Sequence, residues 1–245
     1  MLTTSNLEPE INYVCSLGNM CHSNEILKRN NLKTCSYPFD WIYSSIDIVI
    51  HSIEDNFNIF LDKSYYIDFK IKWTNRQCGH SLYHYEMFNH YDPRNEKDHN
   101  YYIRCVNRFK SLLQKQEHKL FTMMFINNNN SIDETFMNDI IVFNNKLSKY
   151  TNNYTLLVIY HIPYKKQNHH TFVYHDNIHF LELHTLSRSG GVLFDNKNTD
   201  NNDNDDNIYL DNILNSNYKF NIMPLENAES SEISNYGFGK CGVTD

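Results

Sequence analysis

Val14-Cys-Ser-Leu-Gly18-Asn-Met-Cys21-His-Ser-Asn-Glu-Ile-Leu27-Lys-Arg-Asn30, followed shortly by Ser36-Tyr-Pro-Phe-Asp40-Trp-Ile-Tyr-Ser44, is the stretch on which the reading of this chain turns. Tyr13–Leu17 reads as a short apolar strand. Gly18 ends it, since glycine alone turns freely into φ > 0, and Asn19 and Met20 carry the turn. Cys21 then stands where a helix begins, and Ile26 and Leu27 continue that helix to about Asn30. A thiol at a helix N-terminus faces unpaired backbone N–H groups and the positive end of the macrodipole. Both favour the thiolate, which is the nucleophilic form. Strand, glycine turn, nucleophile and helix is also the plan of a nucleophile elbow. The competing reading makes Cys21 a small buried apolar residue, the commonest fate of a free cysteine.

Outside this stretch, composition sets the bounds. The 245 residues are 40% hydrophobic and 14% aromatic, enough for one domain with its own core and too apolar for a disordered chain. A formal charge of −7 gives no general attraction to nucleic acid or acidic membrane. No basic-then-apolar leader and no apolar run of the roughly 18 residues a span requires is visible, so neither a signal peptide nor a membrane helix is expected. Six cysteines, Cys15, Cys21, Cys35, Cys78, Cys105 and Cys241, show no regular framework and no C-x-x-C pair. That pattern suggests a reduced, intracellular protein without a thiol-rich zinc site.

Helical spacing of Ile46, Val49, Ile50, Ile53 and Phe57 predicts a helix over 45–56, capped by Ser44 or Ser45. Phe60–Trp73 and Ser81–Phe88 are strand candidates. Asp92-Pro93 reads as the start of a helix running to about Gln116. His118–Ile126 reads as an apolar strand, and Ile132 to Leu147 as a helix capped by Ser131 with Glu134 in capping-box position. Tyr154–Ile162, wholly apolar in its middle, reads as a strand buried on both faces. Thr171–His175 and Ile178–His184, separated by Asp176-Asn177, read as a two-residue hairpin. Residues 195–207, almost all Asn, Asp and Lys, read as a mobile insert. Ile208–Leu214 reads as a short helix and 217–245 as an irregular tail. Strands alternating with helices predict one α/β domain: a layered, mostly parallel central sheet, helices on both faces and a C-terminal β-hairpin.

Ser16-Leu17-Gly18-x-x-Cys21 with Ser36-Tyr37-Pro38-Phe39-Asp40-Trp41-Ile42 resembles the signature of the putative papain-like cysteine peptidase family, a domain of unknown function found in bacteria and large DNA viruses. Phe88-Asn89-His90 resembles that family's Phe-x-His segment. Tyr102-Ile103-Arg104-Cys105-Val106-Asn107-Arg108-Phe109 resembles its Tyr-x-Arg-Arg-x-x-Arg-Phe helix, with Cys105 in place of the second Arg. The resemblance implies that Cys21 is the nucleophile and that the core is papain-like α+β, with the Cys helix on an antiparallel sheet. The order of elements fits that core less well than an α/β sheet. Together with an Asn-rich, AT-type composition, the resemblance points to a giant virus or an AT-rich microbe, hence to host cytoplasm or virion.

A cysteine nucleophile requires a base in reach and a group to orient that base. His90, at the end of a strand candidate, is the expected base, and Asp40 or Asp92 the expected orienting carboxylate. Asp40 reads equally well as a turn or helix cap. His22 is a poor base, since neighbouring helix positions point apart. Arg104 and Arg108, one turn apart, suit an anionic substrate group or, more plainly, salt bridges to Asp92, Glu96 or Asp40. His161, His169, His170, His175, His179 and His184 invite a metal reading. The hairpin register, however, pairs His175 with Ile178 and Tyr174 with His179 and sends the two histidines to opposite faces. No metal or cofactor is expected. The expectation is a thiol hydrolase or acyltransferase acting on a peptide, amide or thioester bond. Its rivals are a non-catalytic binding protein and a sugar- or nucleotide-dependent transferase.

Overall fold

β1 (Tyr13–Gly18) is the edge strand of a five-stranded sheet completed by β4 (Lys119–Ile126), β5 (Tyr154–Ile162), β7 (Ile178–His184) and β6 (His169–His175), in the order β1-β4-β5-β7-β6. The first four run parallel and β6 runs antiparallel to β7. This computed structural model describes residues 9–69, 78–127, 131–195 and 205–225. The period-2 alternation of the strands divides the core. Tyr13, Cys15, Leu17, Phe121, Met123, Leu156 and Val158 face one side. Val14, Leu120, Met124, Leu157, Ile159 and Leu181 face the other.

Helices cover both faces, so the layered α/β fold is present and the antiparallel papain-like core is not. α1 (Cys21–Arg29) and α6 (Asp206–Asn217) lie on the second face through Ile26, Leu27, Leu210, Ile213 and Leu214. α4 (Glu96–Leu113) and α5 (Glu134–Leu147) lie on the first, with α2 (Ile46–Glu54) against α5 and α3 (Asn58–Leu61) against α4. Among the described residues no helix is long and apolar enough to cross a membrane.

The hairpin register is as expected, with Tyr174 opposite His179 and His175 opposite Ile178. Other boundaries differ, each for a local reason. The stretch 81–88 is not a strand. Its backbone N–H groups turn back onto imidazoles, Leu82 and Tyr83 donating to His80 Nδ1 and Glu86 to His84 Nδ1. Phe88 makes a single antiparallel bridge to Cys78, and a three-residue ladder forms just before the stretch, between β2 (Tyr66–Asp68) and β3 (Cys78–His80). α4 starts at Glu96, because the Asn95 side chain accepts the Asp98 N–H and out-competes the Asp92-Pro93 start. α5 is capped by Asp133 rather than Ser131. α6 starts two residues before Ile208, capped by Asp205. Asp206 is fully buried and accepts from the N–H groups of Leu186 and Ser187 and from the Ser187 hydroxyl. The last three residues of the expected insert 195–207 are therefore packed structure. Residues 1–8, Trp73, 196–204 and the tail from 226, with Cys241, lie outside the described residues.

Candidate active site

β1 ends in a left-handed turn at Gly18 (φ +87°) and Asn19 (φ +64°), and Met20 leads into Cys21, the first residue of α1. Glycine is required at residue 18 for space as well as for φ. A Cβ there would lie 2.1 Å from Ser44 Oγ and 3.0 Å from the Phe39 carbonyl. The turn is held from both sides. Ser44 Oγ accepts the Asn19 N–H (2.9 Å) and donates to the Leu17 carbonyl (3.1 Å). Ser23 Oγ lies 2.6 Å from Ser16 Oγ on the sheet and donates to the Met20 carbonyl at 2.8 Å. The second half of the signature therefore closes over the first through Ser44, a residue whose role the sequence does not announce.

Cys21 is 8% exposed, and its Sγ lies 3.5 Å from His90 Nε2, within reach of a sulfur hydrogen bond. Sixty-nine positions separate the two in sequence. The segment 81–90 brings His90 there: Tyr43 N–H donates to the Met87 carbonyl (2.9 Å), so the chain after Trp41 and the chain before His90 run side by side. Trp41 packs edge-to-face on the His90 ring, with centroids 5.3 Å apart, and Lys28 Nζ lies 5.8 Å over the Trp41 ring. Trp41, 5% exposed, thus joins the nucleophile helix, the turn and the histidine. Trp41→Ala should destabilise the protein by about 3–5 kcal/mol, the range for deleting a large buried aromatic, measurable as a lowered urea midpoint with an unchanged slope.

The two carboxylates expected to orient His90 are engaged elsewhere. Asp40, fully buried, pairs through Oδ2 with Lys33 Nζ and accepts the Tyr37 N–H at 2.7 Å, closing the Tyr37–Asp40 turn. Burial pushes its carboxyl above the ordinary carboxylate range and the Lys33 ammonium draws it back down. Its Oδ1 has no hydrogen-bond partner among the described residues. Asp92 is gripped by Arg94, with Nε–Oδ1 at 2.8 Å and Nη2–Oδ2 at 2.7 Å, and these bonds hold its carboxyl below the usual range. The arginines part company too. Arg108 is buried and donates to the Ser36 carbonyl at 3.5 Å, and its charge acts on Asp40. Arg104 is exposed on the same helix. Neither fits the expected shared anion site, because α4 turns the later position into the core behind the signature loop.

The other described thiols are buried more completely than Cys21. Burial raises Cys15 and Cys35 and pushes Cys78 and Cys105 up to about 12. Sequence reasoning missed Lys33 and the seat of His22. Lys33 stands between Leu32 and Cys35, and a lone cation in an apolar frame seven residues before an acid was the available signal. His22, fully buried, lies 2.7 Å through Nδ1 from Ser189 Oγ; burial, then the Arg29 charge, lowers its pKa well below the usual histidine value. Nothing local marks Ser189. Within the later histidine cluster, His161 lies on Thr185, His170 on Tyr209, His179 on Tyr218 and His184 on Glu182.

One comparison matches the chain. The model of a family described as a putative papain-like cysteine peptidase covers residues 12–162, from β1 to the end of β5. No curated protein and no solved structure matches.

Proposed function

Since well over half of its length carries the family's domain, the chain belongs to the putative papain-like cysteine peptidase family, and we propose that it is a thiol hydrolase or acyltransferase in which Cys21 is the nucleophile and His90 its base. The 3.5 Å approach of Cys21 Sγ to His90 Nε2 at the end of a strand–turn–helix elbow carries this reading. In it, His90 takes the thiol proton, the thiolate attacks an acyl carbonyl, and His90 returns the proton to the leaving amine, alcohol or thiol. Backbone N–H groups at the start of α1 would hold the developing oxyanion. Peptide, amide and thioester bonds all suit this chemistry.

The transferase reading has less support, since it relies on Arg104 and Arg108 lining a pocket. The binding-protein reading treats the signature as architecture, and the buried Lys33–Asp40 pair and Trp41 are architecture. It leaves the apposition of thiol and imidazole without a purpose. The test is labelling of the folded protein with limiting iodoacetamide at pH 7, followed by peptide mapping. Cys21 should be modified well before Cys15, Cys35, Cys78 and Cys105. Labelling of Cys21 no faster than that of Cys78 would reject the nucleophile.

A further inference from the structure

The match to the family ends with β5, yet the nucleophile helix is held by the chain that follows it. The hold is made at both ends of the helix. At the start of α1, the His22 ring lies on Ser189 and packs edge-to-face on Phe194, with centroids 4.5 Å apart. At its end, Arg29 forks onto Asp211, with Nε 2.8 Å from each carboxylate oxygen, and Asn30 Nδ2 donates to Asp211 at 2.7 Å. The loop carrying Ser189 and Phe194 is itself fixed to the first turn of α6, through Asp206 to Ser187 and through Asn207 Oδ1 to the Phe194 N–H at 3.0 Å. The His22 tautomer follows from its neighbours. Arg29 Nη1, 3.4 Å from Nε2, can only donate, so Nε2 accepts and Nδ1–H donates to Ser189 Oγ. The cap position of α1, Met20, makes no side-chain bond, whereas Ser45, Asn95, Asp133 and Asp205 cap α2, α4, α5 and α6.

We propose that the loop from Ser187 to Phe194 and the first half of α6 form a clamp that sets the attitude of Cys21 toward His90, with His22 and Ser189 as positioning residues acting through the first turn of α1. The proposal rests on the thiol–imidazole reading above. His22 follows Cys21 directly, so a rotation of the helix start that breaks His22–Ser189 also moves Sγ away from Nε2. A displacement of about 1 Å is enough to lower a rate by a factor of up to a hundred.

The experiment measures the second-order rate of Cys21 alkylation by iodoacetamide between pH 5 and pH 10, alongside melting, in wild type and in Ser189→Ala, His22→Asn, His22→Gln and His90→Ala. Ser189→Ala removes one oxygen and should slow Cys21 about tenfold near pH 7 and move the midpoint of its profile upward. His22→Asn keeps an N–H near the Nδ1 position and should stay close to wild type. His22→Gln, which carries its amide where Nε2 was, should behave as Ser189→Ala. Lowered melting with an unchanged Cys21 profile in both Ser189→Ala and His22→Gln would make the contact merely structural and overturn the proposal. A wild-type profile that His90→Ala leaves unchanged would instead overturn the thiol–imidazole reading, and the proposal with it.

Discussion

His90→Ala should remove most of the reactivity of Cys21 at neutral pH and below. A free thiol titrates near 8.5 and is mostly protonated at pH 6, whereas a thiol paired with imidazole holds its thiolate far below that. The variant should therefore be alkylated at least about tenfold more slowly at pH 6, and the two proteins should converge above about pH 9 as the unpaired thiol ionises by itself. Turnover of an acyl substrate should fall further, by about 10²–10⁴, because the histidine also returns the proton to the leaving group. Melting should change little, since the ring is only partly buried. His90 does support one face of Trp41, so comparing His90→Ala with His90→Phe separates that packing from proton transfer. If His90→Phe restored the alkylation rate, the base assignment would be lost.

Asp40→Ala should be among the most damaging substitutions for folding, with the opposite signature. Its carboxylate and the Lys33 ammonium are buried together, with side chains 0% and 3% exposed. Removing the acid leaves the ammonium enclosed and uncompensated, a loss of about 3–5 kcal/mol for pairs of this kind. Asp40→Asn keeps the bond to the Tyr37 N–H and should lose less. Replacing the pair together, with Lys33→Met and Asp40→Leu, should recover much of the loss, since a buried pair is often no better than an apolar one. In each variant that folds, Cys21 should keep its labelling rate, because Asp40 is spent on Lys33 and the Tyr37 turn. Urea melts with Cys21 labelling on the same samples decide it. Full stability with lost labelling in Asp40→Asn would return Asp40 to the site.

What was legible in the sequence was local. The strand, glycine turn and helix around Gly18 and Cys21 follow from backbone sterics and a short apolar run. The hairpin register follows from two residues between two alternating runs. His90 is legible through its resemblance to the family's Phe-x-His and its place after a strand candidate, and since 81–88 is not a strand only the resemblance survives. The misreadings have a common cause. The stretch 81–88 has the apolar content of a strand, but two imidazoles take up its N–H groups. Asp92-Pro93 has the chemistry of a helix start, but Asn95 caps better and Arg94 draws Asp92 away. Asp206 looks like one more polar residue in an Asn/Asp run, yet it is fully buried against a loop some 19 residues earlier. A side chain's partner is a matter of tertiary geometry, and pattern says which groups need one without saying which they find.

The clamp also has a timetable. The ribosome delivers the chain N-terminus first, and 167 positions separate His22 from Ser189 and 182 separate Arg29 from Asp211. At synthesis rates of about 5–20 residues per second, the nucleophile helix waits on the order of ten seconds after emerging before the residues that seal its outer side exist. His90 arrives earlier, 69 positions after Cys21. A chain halted at residue 162 would hold thiol and imidazole but neither β7, α6 nor the loop between them. On the clamp proposal, the order of manufacture separates owning the reactive pair from aligning it, and alignment waits for α6.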